Sequence, residues 1–96
     1  MISGILLLVI NNGLLICYGH LLLPQSFAPH AGIGWHNVTL PYTYPTLLQC
    51  FCTTRNNAEF AVGVEQTNNS VIRLGAVNHS DNWQGMYGMY WMTVGF

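Results

Sequence analysis

Four histidines (His20, His30, His36, His79) and three cysteines (Cys17, Cys50, Cys52) are the side chains through which this chain could hold a metal or build a nucleophile. No His-x-His or His-x-x-x-His spacing sets two imidazoles on one ion. Cys50 and Cys52 are separated by one residue, on one face of a strand, where they cannot bridge each other; the cysteines read as packed thiols. A Cys-His nucleophile would need an orienting third group and an oxyanion element, and neither is recognisable. Glu59, Glu65 and Asp81 are the only acids, which leaves little for paired-carboxylate catalysis. The expectation is a protein that is not an enzyme, with no catalytic residue, no cofactor and no metal. An ion on an oligomer axis, taking one His per subunit, stays open as an alternative.

A different chemistry is offered by Asn78-His79-Ser80-Asp81-Asn82-Trp83, where amides, a carboxylate, an imidazole and an indole fall within six positions. Sugar recognition uses this mixture: pyranose C–H groups stack on a ring while amides and carboxylates fix the hydroxyls. An ordinary polar turn, with Trp83 tucked into a subunit seam, is the equal alternative. Arg55-Asn56-Asn57 and the run His30 to Trp35 are second candidates. The candidate ligand-binding set is therefore His30, Trp35, Asn56, Asn57, His79, Asp81, Asn82 and Trp83. Asn37-Val38-Thr39, Asn68-Asn69-Ser70 and Asn78-His79-Ser80 match the N-glycosylation sequon, but they also read as turn residues that happen to fit.

Composition narrows the setting. With 96 residues the chain is one domain, 1–96, and charged residues make up only 5% of it against about 25% in ordinary globular proteins. Apolar burial in so small a chain barely offsets the ordering cost, so burial in an oligomer or a membrane is favoured. Disorder is excluded by 51% hydrophobic and 12% aromatic content. Nucleic acid is excluded as a partner, because Arg55 and Arg73 are the only permanent cations.

Met1 to Leu23 has the length of a membrane span, about 20 residues. Asn11-Asn12-Gly13 interrupts it, His20 follows, and no Lys or Arg flanks it, so membrane insertion is not expected. Asn-Gly between apolar runs predicts a hairpin of strands Gly4–Ile10 and Leu14–Tyr18. Residues 1–23 thus form an apolar hairpin, 24–34 a Pro/Gly-rich loop, and 35–96 the main strands. These are Trp35–Leu40, Leu47–Thr53, Phe60–Glu65, Val71–Val77 and Met86–Phe96, with a turn at Thr67-Asn68-Asn69-Ser70. Alternation puts Ile72, Leu74 and Ala76 on one side, and Met89, Trp91 and Thr93 opposite Tyr90, Met92, Val94 and Phe96. It also sets Leu48, Cys50 and Cys52 against Leu47, Gln49 and Phe51. No helical period appears. The fold class is all-β, a sandwich or barrel.

The order of landmarks, Asn12-Gly13-Leu14-Leu15-Ile16 with Gly19, Val38-Thr39-Leu40-Pro41, Tyr44-Pro45 and a terminal Tyr90-Trp91-Met92-Thr93-Val94-Gly95-Phe96, resembles the C-terminal tip domain family of bacteriophage tail fibres. That family runs N-G-L-I-I-Q-W-G, V-T-F-P, F-P, then an aromatic-Gly-aromatic close. Cys17-Tyr18 stands where the family often has Gln-Trp, and Leu40 where Phe is frequent. The resemblance implies a small antiparallel β-sandwich like H-type lectin domains, assembled as a homotrimer at the distal end of a fibre. It implies a virion protein, assembled in the bacterial host cytoplasm, whose partner is a bacterial surface polysaccharide or an outer-membrane protein. Tyr44, Tyr90, Trp91, Val94 and Phe96 would then pack the core or the trimer interface. The chain would be a fragment or cassette of a longer fibre. A small membrane-anchored or secreted protein, or a free lectin-like module, are the alternatives.

Overall fold

The protein was analysed as a computed structural model that describes residues 2–9 and 13–96, the side chains of residues 2–9 and 48 excepted. Seven strands are present among the described residues: β1 (Ile2–Val9), β2 (Leu15–Phe27), β3 (Gly32–Thr39), β4 (Leu47–Thr54), β5 (Phe60–Asn68), β6 (Val71–Asn78) and β7 (Gln84–Gly95). They form two antiparallel sheets, a four-stranded sheet A in the order β1-β2-β7-β4 and a three-stranded sheet B in the order β3-β6-β5. The described residues contain no helix, and so none long and apolar enough to cross a membrane. The chain is all-β, in an arrangement compatible with a small sandwich.

Period-two alternation builds the core. On β6, Ile72, Leu74 and Ala76 are buried while Arg73, Gly75 and Val77 face out; on β7, Met89, Trp91 and Thr93 are buried while Tyr90 is exposed. Both sheets and the β3–β4 connection contribute to one apolar cluster, including Cys17, Leu21, Val38, Tyr44, Phe60, Ile72, Leu74, Met89 and Trp91. Each such side chain contributes about 1.5–3 kcal/mol by leaving water, so cutting back Leu74 would cost about 2–5 kcal/mol. A buried polar link crosses this core: the Tyr44 hydroxyl lies 3.1 Å from Thr93 Oγ1, and Thr93 Oγ1 donates to the Cys17 carbonyl at 3.4 Å.

Several strand limits differ from the sequence expectation. β1 and β2 pair antiparallel, as the hairpin reading required, and Gly13 has φ +78°, while Ile10, Asn11 and Asn12 lie outside the described residues. β2 runs through Pro24 to Phe27, so the loop expected over 24–34 shrinks to residues 28–31. Pro24 is accommodated because the register slips between Leu22 and Gln25, and a residue in a bulge owes the ladder no N–H. β5 continues to Asn68, because Asn68 Oδ1 accepts the Ser70 N–H at 2.8 Å and leaves only Asn69 and Ser70 for the turn. On β4 a register slip between Leu47 and Gln49 turns Leu47 inward, away from the face it was expected to share with Gln49 and Phe51.

Candidate functional site

Three connections meet at one end of the sheets: β2–β3 (residues 28–31), β4–β5 (residues 55–59) and β6–β7 (residues 79–83). The first is a tight turn closed by the Ala31 N–H on the Ala28 carbonyl at 3.1 Å, with Pro29 at its second position and His30 at φ +59°. Proline followed by a left-handed residue is the type II pattern, normally filled by Gly or Asn at the third position. That conformation aims the His30 ring across to the β6–β7 loop, where Nε2 lies 2.8 Å from Asp81 Oδ1.

Asn78 holds the loops together. It is fully buried, and its amide donates to the carbonyls of Phe27, Ala28 and Asn82 at 3.2, 3.1 and 2.9 Å, while its Oδ1 accepts the Ser80 N–H at 2.9 Å. Ser80 Oγ accepts from the Asn82 N–H and the Gln84 amide. The His79 N–H reaches the Glu59 carbonyl at 2.8 Å, tying in the third loop. Asn57 donates to Gln84 Oε1 and the Gly85 carbonyl and accepts from the Glu59 N–H; Asn56 Oδ1 accepts the Tyr87 N–H. Asn56 and Asn57 are thus committed to holding the loop. His79, Asp81, Asn82 and Trp83 are exposed, Trp83 to 69%.

Seven of the eight candidate residues therefore lie at this loop end, and Trp35 lies elsewhere. A register slip on β3 between Ile33 and His36 makes Gly34 and Trp35 together oppose Gly75. The indole lies over Gly75, where a Cβ would meet the ring at 3.2 Å, and reaches toward Gly63. Arg73, paired with Glu65 at 2.8 Å, sets its guanidinium 4.8 Å from the ring centre. Trp35 remains half exposed beside a shallow trough of about 320 Å³.

The residues expected to pack divide in two. Tyr44 and Trp91 are core. Tyr90 and Phe96 are close to half exposed and Val94 is half-buried, so within one chain they are not core residues; outward parity on β7 is the reason. Tyr90 joins Tyr18, Phe51 and Met92 around an apolar bowl of about 380 Å³ on the outer face of sheet A. His20 packs on Tyr90 with ring centres 5.0 Å apart; burial, and then the Arg55 charge, holds its pKa below the ordinary value.

Sequence reasoning missed Asn78 as the organising residue. The signal was present, since it continues the inward series Ile72, Leu74, Ala76. A buried Asn78 also has no room for a glycan, which removes that sequon. All three cysteines are free thiols with raised pKa, Cys17 up to about 11 through burial, which suits packing better than nucleophilic chemistry. No three His, Cys, Asp or Glu side chains come together among the described residues. Comparison with known proteins finds no matching family model, no matching curated protein and no matching solved structure.

Proposed function

We propose that this chain is the receptor-binding tip of a bacteriophage or phage-like tail fibre, non-enzymatic and homotrimeric, that recognises a glycan or outer-membrane receptor on the bacterial surface during adsorption. The observation that carries the reading is the loop end. Trp83, 69% exposed, stands beside exposed Asp81, Asn82 and His79 on loops fixed from below by buried Asn78. An exposed indole has a cost in water that a stacked pyranose would relieve, and a fixed scaffold lowers the entropy lost on binding. The resemblance in motif order supplies the setting: assembly in the host cytoplasm and a place at the fibre's distal end.

Trimerisation fits the same picture. Tyr18, Phe51 and Tyr90 leave nearly half their surface in water on the outer face of sheet A, and a shared interface would remove it. Three weak sites per fibre then gain avidity of roughly 10²-fold or more when engaged together.

The test is adsorption of the purified chain to bacterial cells and to a panel of their surface polysaccharides. Trp83→Ala is expected to abolish binding while leaving the far-UV spectrum and native mass unchanged. Unchanged binding by that variant would remove the loop end from the function.

A further inference from the structure

We propose that the receptor glycan is read as a chain of at least two sugar units, one at the loop end and the next in the trough on the outer face of sheet B, stacked against Trp35. This rests on the receptor-binding reading and names the ligand's extent.

The geometry is a continuous strip along β5 and β6. Gly63 pairs with Gly75, Ala61 with Val77, and the next step is the hydrogen bond from the His79 N–H to the Glu59 carbonyl in the loops. From Gly75 to Val77 is ~7 Å and from Gly75 to His79 ~13 Å along an extended strand, room for consecutive pyranose rings. At Gly75 and Gly63 the absence of side chains lets the Trp35 indole lie down on the strip, and between that ring and the loops the floor is made by Ala61 and Val77. The ring does not have to be ordered on binding, because Gly75 lies beneath it and Arg73, itself held by Glu65, lies against it.

The choice of a hydrated, uncharged ligand with apolar faces follows from where charge is placed. The chain has five charged side chains: Arg73 and Glu65 border the strip at one end, and Glu59, Asp81 and Arg55 lie in the loops at the other, with Arg55 turned onto Tyr87 of sheet A. The trough between is lined by Ile33, Trp35, Ala61, Gly63, Gly75 and Val77, without a charge. An apolar wall between two polar ends matches a saccharide, whose ring faces are apolar and whose hydroxyls are polar. The apolar bowl on sheet A is the face that the proposed function gives to contact between chains.

The experiment is a solution affinity series with bacterial O-antigen and capsule fragments, each taken as its terminal monosaccharide and as di- and trisaccharide, against the full chain. The native protein is expected to bind a fragment of two or more units about tenfold or more tightly than its terminal monosaccharide. Trp35→Ala should bring the longer fragment down to the monosaccharide's affinity and leave the monosaccharide unchanged. Val77→Arg fills the trough and keeps the indole in the chain, and should do the same should Trp35→Ala unfold sheet B. Equal affinity for short and long fragments, or a length preference that survives both variants, overturns the trough while the loop site stands. Binding to no fragment at all, monosaccharide included, overturns the glycan reading and the trough with it.

Discussion

His30 Nε2 lies 2.8 Å from Asp81 Oδ1, joining two loops 51 residues apart while both side chains remain largely in water. An exposed pair of this kind contributes about 0–1 kcal/mol. Holding His30 at φ +59° costs about 1–2 kcal/mol, which a glycine would not incur. His30→Gly is therefore expected to stabilise the fold by about 1 kcal/mol, raising Tm by several degrees in a thermal scan. A fall in Tm would mean that the contact to Asp81 outweighs the backbone strain. Retention of a strained non-glycine residue at the loop end fits a side chain kept for contact with a ligand.

Asn78 governs the same loops from inside. Asn78→Ala would strand the Ser80 N–H and the carbonyls of Phe27, Ala28 and Asn82, all four in buried or half-buried surroundings. The expected loss is about 2–4 kcal/mol, read as a lowered urea midpoint, with faster amide exchange at residues 79–83 before global unfolding. Protection at those residues equal to the native protein's would show that the β6–β7 loop is held by other bonds.

The alternating strands were readable from side-chain order alone. Ile72, Leu74 and Ala76 had to share a face, and Met89, Trp91 and Thr93 had to oppose Tyr90 and Met92, because burial on one side demands period two. What escaped depends on bulges and on loops. Trp35 is aimed across Gly75 by an extra residue in β3, and Leu47 is turned inward by a slip in β4; a single inserted residue reverses every later side chain, and no residue type announces it. Tyr44, expected to pack only through the resemblance, sits between two prolines in a connection and is buried; what no residue type announced is its partner, the Thr93 hydroxyl on a strand 49 residues away. Pro24 gave the wrong signal for the opposite reason, since the strand carries it in a bulge. The loop end was legible as composition, but its assembly from three connections is tertiary.

Stability should fall on both sides of neutrality, and the groups responsible differ. Burial raises the Cys17 thiol from 9.0 to about 11, a nearby Thr93 hydrogen bond opposing it, and burial raises Tyr44, Cys50 and Cys52 as well. Between 9.0 and about 11 the unfolded chain has lost a proton that folded Cys17 keeps, so stability is intact below that window and declines as pH rises through it. His20 has the reverse sign. Its folded pKa is below 6.5, so the unfolded chain takes up a proton first and stability declines as pH falls beneath that value. Urea midpoints between about pH 5 and about pH 11 should form a plateau with two falling shoulders. Cys17→Val should make the alkaline shoulder shallower, leaving the part due to Tyr44, Cys50 and Cys52, and His20→Phe should flatten the acidic one; shoulders that persist unchanged in both variants would assign them to other groups.

Neighbouring residues on β7 separate assembly from folding. Trp91 is 2% exposed and faces the shared core, so Trp91→Asp places an unpaired carboxylate among apolar side chains and should prevent folding. Tyr90 is 46% exposed on the outer face of sheet A, where it lines the bowl with Tyr18, Phe51 and Met92. In an isolated chain Tyr90→Asp should cost little, within about 0.5 kcal/mol of an ordinary surface change. If three chains meet through that face, the same substitution buries three carboxylates at the interface and should dissociate the trimer to folded monomers. Light scattering on a sizing column reads the mass, and circular dichroism reads the sheet. A native chain that runs as a monomer, or a Tyr90→Asp variant that keeps the mass of three chains, would exclude this face as the trimer contact. Folded monomers from Tyr90→Asp, together with no soluble protein from Trp91→Asp, would establish that one strand serves the core with one face and the assembly with the other.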